Sequence, residues 1–315
     1  MVSMRLLQTV KKILESYSIV ITTSLLLGMF FSSSIAFLAP YSTPALSVIF
    51  FIIALQVDLK QIIEYFKDFR LIAIVTSLML IVFPFVIYYL TNWLYPDLAL
   101  AFLILAAMPT AMAAALVAGV IGGRPSLALV FTVVTSLLAP VTVPLVIQFA
   151  AGTTVAVNSI DIFLSLGKVI FIPFIVAEIL KWLWPKAVGI IEPSFKSVSM
   201  VLLGLIFMST VALQADAIFS DLSGGILVYL VGLFILFIGL HLIGYFAVFW
   251  RDQRDRLTVT VCLTYMNFIL ALYLAQNFFN QPNIVVPIIL TVLPWSILVI
   301  PFKFLVKKLN FFPVQ

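Results

Sequence analysis

Residues 98–123 read LALAFLILAAMPTAMAAALVAGVIGG, and the reading of this stretch decides the fold. It carries no charge and is longer than the roughly 20 residues that cross the hydrocarbon core of a bilayer. Pro109 nevertheless stands near its middle. A proline there removes a backbone donor and its ring clashes with the carbonyl one turn earlier. The hydroxyl of Thr110 is placed to re-satisfy the loosened backbone. Small residues follow: Ala111, Ala113, Ala114, Ala115, Ala118 and Gly119. Such a face admits the close approach of another backbone. Taken alone, the stretch fits either an ordinary proline kink between packed helices or a membrane helix broken to meet a second one.

The rest of the chain carries the same apolar character. Of 315 residues, 64% are hydrophobic and 9% charged, and the mean hydropathy is +1.27. A soluble domain is about 45–50% apolar and about 25% charged, so water-soluble enzymes and nucleic-acid binders are excluded despite a net charge of +5. The apolar runs are continuous and do not alternate, which excludes a membrane β-barrel. One cysteine, Cys262, forms no intrachain disulfide, and one histidine, His241, supports neither a His-rich metal centre nor a Ser-His triad. The first apolar stretch is long for a signal peptide and is expected to be a retained span.

Ten spans are expected, over 16–38, 41–57, 70–92, 97–120, 126–149, 160–183, 196–213, 224–249, 256–279 and 283–304. With ten, sixteen of the seventeen Lys and Arg residues fall on one side, Lys168 being the exception. The positive-inside rule makes that side cytoplasmic, with both termini inside a plasma (cell inner) membrane. The basic charge is therefore topogenic. The partners expected are membrane lipids and a small organic solute, with no nucleic acid, and the oligomeric state is not legible.

The halves match in order: a long span, a short span opening near proline, a long span, a helix with a polar interruption, and a last helix with prolines. Pro140 corresponds to Pro294, and the interruption near Pro109 to that near Asn267. Five spans being odd, the second copy (153–315) is expected upside down relative to the first (1–152). Inverted repeats of this kind characterise secondary transporters, in which one bundle rocks against another for alternating access.

The ninth span, RLTVTVCLTYMNFILALYLAQ, supplies the counterpart to Pro109. Thr264, Tyr265 and Asn267 form a polar cluster inside the bilayer, where an amide is costly without a partner or ligand. A helix-to-helix hydrogen bond is the bland reading. A solute site is the other, and the matching position of the two interruptions favours it. The substrate-binding candidates are thus Pro109, Thr110, Thr264, Tyr265, Asn267 and Thr291. Thr132, Thr135 and Ser136 are candidates for ion binding, although membrane hydroxyls often bond back to their own helix. His241 and Glu178 are candidate proton relays; for Glu178, Lys181 one turn on is the expected partner. No metal site, catalytic residue or organic cofactor is expected, leaving Na+ or H+ as coupling ions.

Three runs carry a resemblance: FLAPYSTPALSVIFFIIALQVDLKQIIEYF (37–66), AAMPTAMAAALVAGVIGGRPSLALVFTVVTSLLAPVTVP (106–144) and LTYMNFILALYLA (263–275). The sequence resembles the bile acid:sodium symporter family, within the bile/arsenite/riboflavin transporter superfamily, by pattern across nearly the whole chain. The resemblance implies an all-α polytopic membrane protein of ten transmembrane helices in two inverted five-helix repeats. Helices 1, 2, 6 and 7 would form a panel, and helices 3–5 and 8–10 a core in which broken helices 4 and 9 cross. Substrates in that family are organic anions such as bile acids, steroid sulfates or small carboxylates. Sodium-coupled members carry a Ser-Asn pair after the fourth-helix break, a Gln in the third span, and a Glu and a Gln in the ninth. These align here with Ala114 and Ala115, with Met79, and with Cys262 and Met266. Sodium is a hard cation that takes oxygen ligands, so the family's two sodium sites are not expected.

The function expected is alternating-access transport of a small organic, anionic solute without covalent chemistry. The rival readings are a receptor or scaffold that keeps the carrier fold without transport, and a membrane-embedded lipid enzyme.

Overall fold

The computed structural model describes residues 16–57, 64–65, 68–111, 113–152, 158–220 and 225–308. The helices, in chain order, are α1 (Tyr17–Phe30), α2 (Ser42–Gln56), α3 (Phe69–Leu94), α4 (Pro96–Ala106), α5 (Ala114–Ile121), α6 (Pro125–Ala151) and α7 (Ser159–Leu183). They continue as α8 (Phe195–Leu213), α9 (Gly225–Ala247), α10 (Gln253–Thr264), α11 (Phe268–Leu274), α12 (Pro282–Leu290), α13 (Val292–Ile297) and α14 (Val299–Lys308), with short unlabelled helices at Ser32–Ile35, Pro185–Ile191 and Ala215–Ser220. Helix α3 contains a π-turn at Leu78–Val82, and α11 runs on into another at Ala275–Phe279. Among the described residues, the β-type pairing is an isolated antiparallel bridge between Thr110 and Met266.

Local chemistry sets the helix ends. Proline occupies the first turn of α4, α6 and α12, where its missing N–H costs nothing. Asp68, Asp252 and Asn267 each accept from a backbone N–H three residues on, capping α3, α10 and α11. Gly122, at φ +93°, ends α5 in the left-handed conformation that glycine adopts without strain.

Among the described residues seven helices are long and apolar enough to cross a membrane: Ser32–Gln56, Phe69–Leu94, Pro125–Ala151, Ser159–Leu183, Pro185–Leu213, Gly225–Ala247 and Pro282–Val306. Ile19–Phe30, Pro96–Ala106 and Phe268–Phe279 are shorter apolar helices. The expected spans 97–120 and 256–279 are each divided by a helix break. The first interruption also differs from expectation. It falls at Phe31 rather than near Pro40, because Pro40 is accommodated in a 3-10 turn, Ala36–Tyr41, leading into α2.

Two compact units interleave along the chain. One comprises Met1–Val57 and Leu164–Leu222, the other Asp58–Phe163 and Ser223–Gln315. In the first, α1 and α8 approach so closely that a Cβ on Gly28 would lie 2.6 Å from the Met208 carbonyl oxygen. The Ser42 and Ser209 hydroxyls bond at 2.9 Å. Lys181 donates to the Ala54 and Val57 carbonyls at the end of α2 and pairs with Glu178 at 2.6 Å.

The second unit holds α3–α6 and α9–α14, including both broken helices. Helix α9 lies against α10, where a Cβ on Gly244 would come within 2.9 Å of Thr260 Cα. The turn after α5 is tied to α10 by the Arg124 N–H donating to Thr258 Oγ1 at 2.7 Å. Nearby, Asp255 is 1% exposed and pairs with both Arg124 and Arg251; Arg251 also pairs with Asp68, and Arg124 with Asp252.

Candidate functional site

The two helix breaks meet. Helix α4 ends at Ala106 and α5 begins at Ala114; α10 ends at Thr264 and α11 begins at Phe268. Between them the extended segments pair as a minimal antiparallel ladder. The Ala111 N–H donates to the Tyr265 carbonyl at 2.7 Å, and the Asn267 N–H donates to the Pro109 carbonyl at 2.8 Å. A helix break inside a membrane strands backbone groups with no water to take them, each costing several kcal/mol (roughly) if left alone. Here each break satisfies groups of the other.

Side chains complete the crossing. The Thr110 N–H donates to Thr135 Oγ1 on α6 at 3.1 Å, and Thr135 passes its own hydrogen to the Phe131 carbonyl at 2.6 Å. The Thr110 hydroxyl lies 3.2 Å from both Met79 Sδ, in the π-turn of α3, and the Cys262 carbonyl oxygen; either accepts its hydrogen. Thr132 donates to Ala128 one turn back at 2.9 Å and sits 3.4 Å from the Ala111 carbonyl. Tyr265 is 1% exposed; its ring meets Trp295 edge-on at 5.0 Å, and its hydroxyl lies 3.1 Å from His241 Nε2.

Two buried polar groups at this point have no partner: Thr264 Oγ1 and the Asn267 amide nitrogen. Asn267 is half used. Its carbonyl oxygen caps α11 through the Leu270 N–H at 3.1 Å, while its two amide hydrogens are left over in a residue 4% exposed. Helices α5 and α11 both begin here, and the N-terminal end of a helix carries partial positive charge.

The structure thus brings Pro109, Thr110, Thr264, Tyr265 and Asn267 together, with Thr132 and Thr135 against them and His241 attached through Tyr265. Ser136 is buried beside Thr135 on α6. Thr291 is not drawn in by a hydrogen bond: its hydroxyl turns back to the Pro287 carbonyl at 3.2 Å. Glu178 belongs to the other compact unit, where it pairs with Lys181. Met79 and Trp295 touch the crossing without having been singled out as binding residues, since an apolar side chain in an apolar span carries no distinguishing signal. Among the described residues, no three His, Cys, Asp or Glu side chains gather as a metal site.

The model of the SBF-like CPA transporter family, of bile acid:sodium symporter type, matches residues 15–309. The chain belongs to that family. No curated protein matches it. An SBF-like CPA transporter with seven long apolar helices among its described residues is an integral, multi-pass membrane protein whose work is transport. Met79, Ala114, Ala115, Cys262 and Met266, the positions picked out by the resemblance to sodium-coupled members, carry no side-chain oxygen. Met79 and Cys262 are drawn around the Thr110 hydroxyl instead.

Proposed function

We propose that this protein is a secondary transporter that holds a small organic anion at the crossing of its two helix breaks and exposes it alternately to the two sides of the membrane. The observation that carries the reading is the unpartnered side-chain amide nitrogen of Asn267, buried at the start of α11. Two N–H donors and two helix N-termini offer an acceptor-rich solute directional bonds in a place without water.

The architecture we propose is ten membrane helices in two inverted five-helix repeats, 1–152 and 153–315, with both termini cytoplasmic in a plasma membrane. The two compact units support its division into a panel (helices 1, 2, 6 and 7) and a core (helices 3–5 and 8–10), since they group the chain in that way. Two bundles of this kind can move against each other around a site held within one of them. Thr110, Tyr265, Asn267 and Thr264 would contact the solute, with Thr132 and Thr135 behind them; Thr291 and Ser136 would support the fold around the site.

No sodium requirement is proposed. No Asp or Glu occurs in 106–118 or 259–274, and sulfur and methyl groups stand where oxygen ligands would be needed. A receptor that binds without transporting is the second reading, and those same missing ligands favour it.

The test is counterflow in proteoliposomes with monocarboxylates, dicarboxylates, bile acids and steroid sulfates, each preloaded against its labelled form. At least one class should exchange without sodium. Binding without exchange would identify the receptor, and neither binding nor exchange would end the proposal.

A further inference from the structure

We infer that the coupling cation is a proton taken up from water by His241, and that its presence on the ring acts on the helix crossing through Tyr265. This rests on the transport reading above and adds the ion to it. His241 is the chain's one histidine and is 4% exposed on α9. Its Nδ1 lies 2.8 Å from the Phe237 carbonyl oxygen, which only accepts, so Nδ1 carries the hydrogen of the neutral ring. Nε2 is then the acceptor, and the Tyr265 hydroxyl 3.1 Å away is its donor. The two rings stand edge-on, 5.4 Å apart at 89°.

Tyr265 is also part of the crossing. It is the first residue after α10, its N–H bonds to Val261 at 2.8 Å, and its carbonyl accepts from Ala111 at 2.7 Å. One residue therefore links the only imidazole in the chain to one of the two main-chain bonds that hold the breaks together.

The surroundings leave His241 as the titrating group. Of the helices packed against α9, α12 and α13 contain no ionisable side chain. Helix α10 contributes Cys262, Arg254, Asp255 and Arg256; Asp255 is engaged by Arg124 and Arg251, and Arg256 donates to the Tyr245 carbonyl, one turn along α9. Helix α4 approaches α9 at Gly232, and its one ionisable residue is Asp97 in its first turn. From α14, Phe302 packs on the imidazole at 4.6 Å, next to Lys303. Tyr229 and Tyr245 are the other ionisable residues of α9 itself. Among the described residues, no carboxylate is bonded to His241. Imidazole takes up a single proton on one ring nitrogen and needs no cage of oxygen ligands.

The step balances simply. A proton adds to Nε2, the acceptor becomes a donor, and the new N–H points at the Tyr265 oxygen. The tyrosine keeps its own hydrogen but must swing it to another acceptor. The imidazolium, without a carboxylate partner, favours a conformation that lets water reach it. Moving Tyr265 to do so loosens its carbonyl from Ala111 and opens the crossing.

The chain supplies its own reporters. The first measurement is 15N NMR of selectively labelled histidine in nanodiscs, without a histidine tag, from pH 8 to pH 5. The second is the rate at which N-ethylmaleimide alkylates Cys262, the single cysteine, which is fully buried at the crossing. Alkylation is compared among wild type, His241→Gln and Tyr265→Phe at each pH, so that the thiol's own titration cancels in the ratios. We expect a neutral Nδ1–H ring at pH 8 that protonates on acidification. The ratio of wild-type alkylation to that of either variant should then rise several-fold between pH 8 and pH 5.5. A ring that stays neutral to pH 5, or a ratio to both variants that is constant with pH, overturns the inference; Tyr265→Phe decides it alone if His241→Gln does not fold. Solute exchange that is present but independent of pH overturns the proton coupling and leaves the transporter. Exchange absent at every pH overturns the transport reading, and the coupling with it, even where the histidine titrates.

Discussion

The Asn267 main-chain N–H donates to the Pro109 carbonyl oxygen at 2.8 Å, so the residue that opens one helix break is held by the residue that closes the other. Proline cannot donate from its own nitrogen, but its carbonyl is intact, and a helix broken at proline leaves such carbonyls needing a donor. The return bond, from the Ala111 N–H to the Tyr265 carbonyl at 2.7 Å, makes the arrangement reciprocal. Two irregular segments that would each be unstable in lipid are stable together.

Asn267 combines a cap with a free donor, and two variants separate these roles. Asn267→Ser retains an oxygen to cap α11, whereas Asn267→Ala loses it at a cost of about 1 kcal/mol. The melting temperature in detergent should fall for Ala and hold for Ser. Both variants should lose solute binding by tenfold or more, because neither carries the amide donors. Retained binding in both would move the site away from the crossing.

Thr135 receives the Thr110 N–H in a fully buried position. Thr135→Val keeps the shape and removes the acceptor, leaving a main-chain donor unsatisfied at a cost of about 1–3 kcal/mol. Thr135→Ser should restore most of the loss. Denaturation followed by tryptophan fluorescence reads both; equal stability of the Val variant would show that the bond contributes nothing.

Glycines on α9 should respond with opposite signs. A Cβ at Gly244 would stand 2.9 Å from Thr260 Cα, so Gly244→Ala forces α9 away from α10 and destabilises by about 1–3 kcal/mol. At Gly239 nothing lies within 4 Å, and Gly239→Ala should be neutral or stabilise by up to ~1 kcal/mol. A thermal melt of the pair checks the sign.

Asp255 holds two arginines with 2% of its side chain exposed, while Arg124 and Arg251 keep 36% and 30%. Removing one partner of a fully buried pair costs about 3–5 kcal/mol; with the arginines partly in water, Asp255→Asn should cost on the order of 2 kcal/mol. Burial works against the charge of Arg251, yet its hydrogen bond and attraction to Asp255, then those to Asp68, outweigh it and raise its pKa above arginine's already high value. A raised folded pKa stabilises below the unfolded pKa and is lost only as pH rises through the folded one. The stability difference between wild type and Arg251→Gln should therefore not shrink as pH rises from 7 to 10. Shrinkage on that side would contradict the assigned partners.

Much of this was legible in the sequence, for identifiable reasons. Pro109 and the small residues after it marked a kink or a break, and only the matching interruption near Asn267 favoured the break. The break at 265–267 has no proline, and Asn267 revealed it only because an amide inside a bilayer demands a partner. Its true cause is non-local: Tyr265 and Asn267 give their backbone groups to Ala111 and Pro109. Met79 was picked out only through the resemblance, as the position of a family ligand, and its contact with Thr110 was not legible, because the π-turn that carries it leaves no mark in an apolar run. Asp255 was hidden differently. Arg124 and Arg251 marked membrane sidedness, and nothing in their spacing showed that one buried carboxylate joins them. The boundary expected between 38 and 41 fell elsewhere because a 3-10 turn absorbs Pro40.

The most direct measurement places a cysteine at the crossing, Asn267→Cys in a Cys262→Ala background, and exposes reconstituted protein to a membrane-impermeant thiol reagent from each side in turn. Alternating access around this point predicts labelling from the outer face and, separately, from the inner face. Labelling from one face only under all conditions, or from neither, would contradict it.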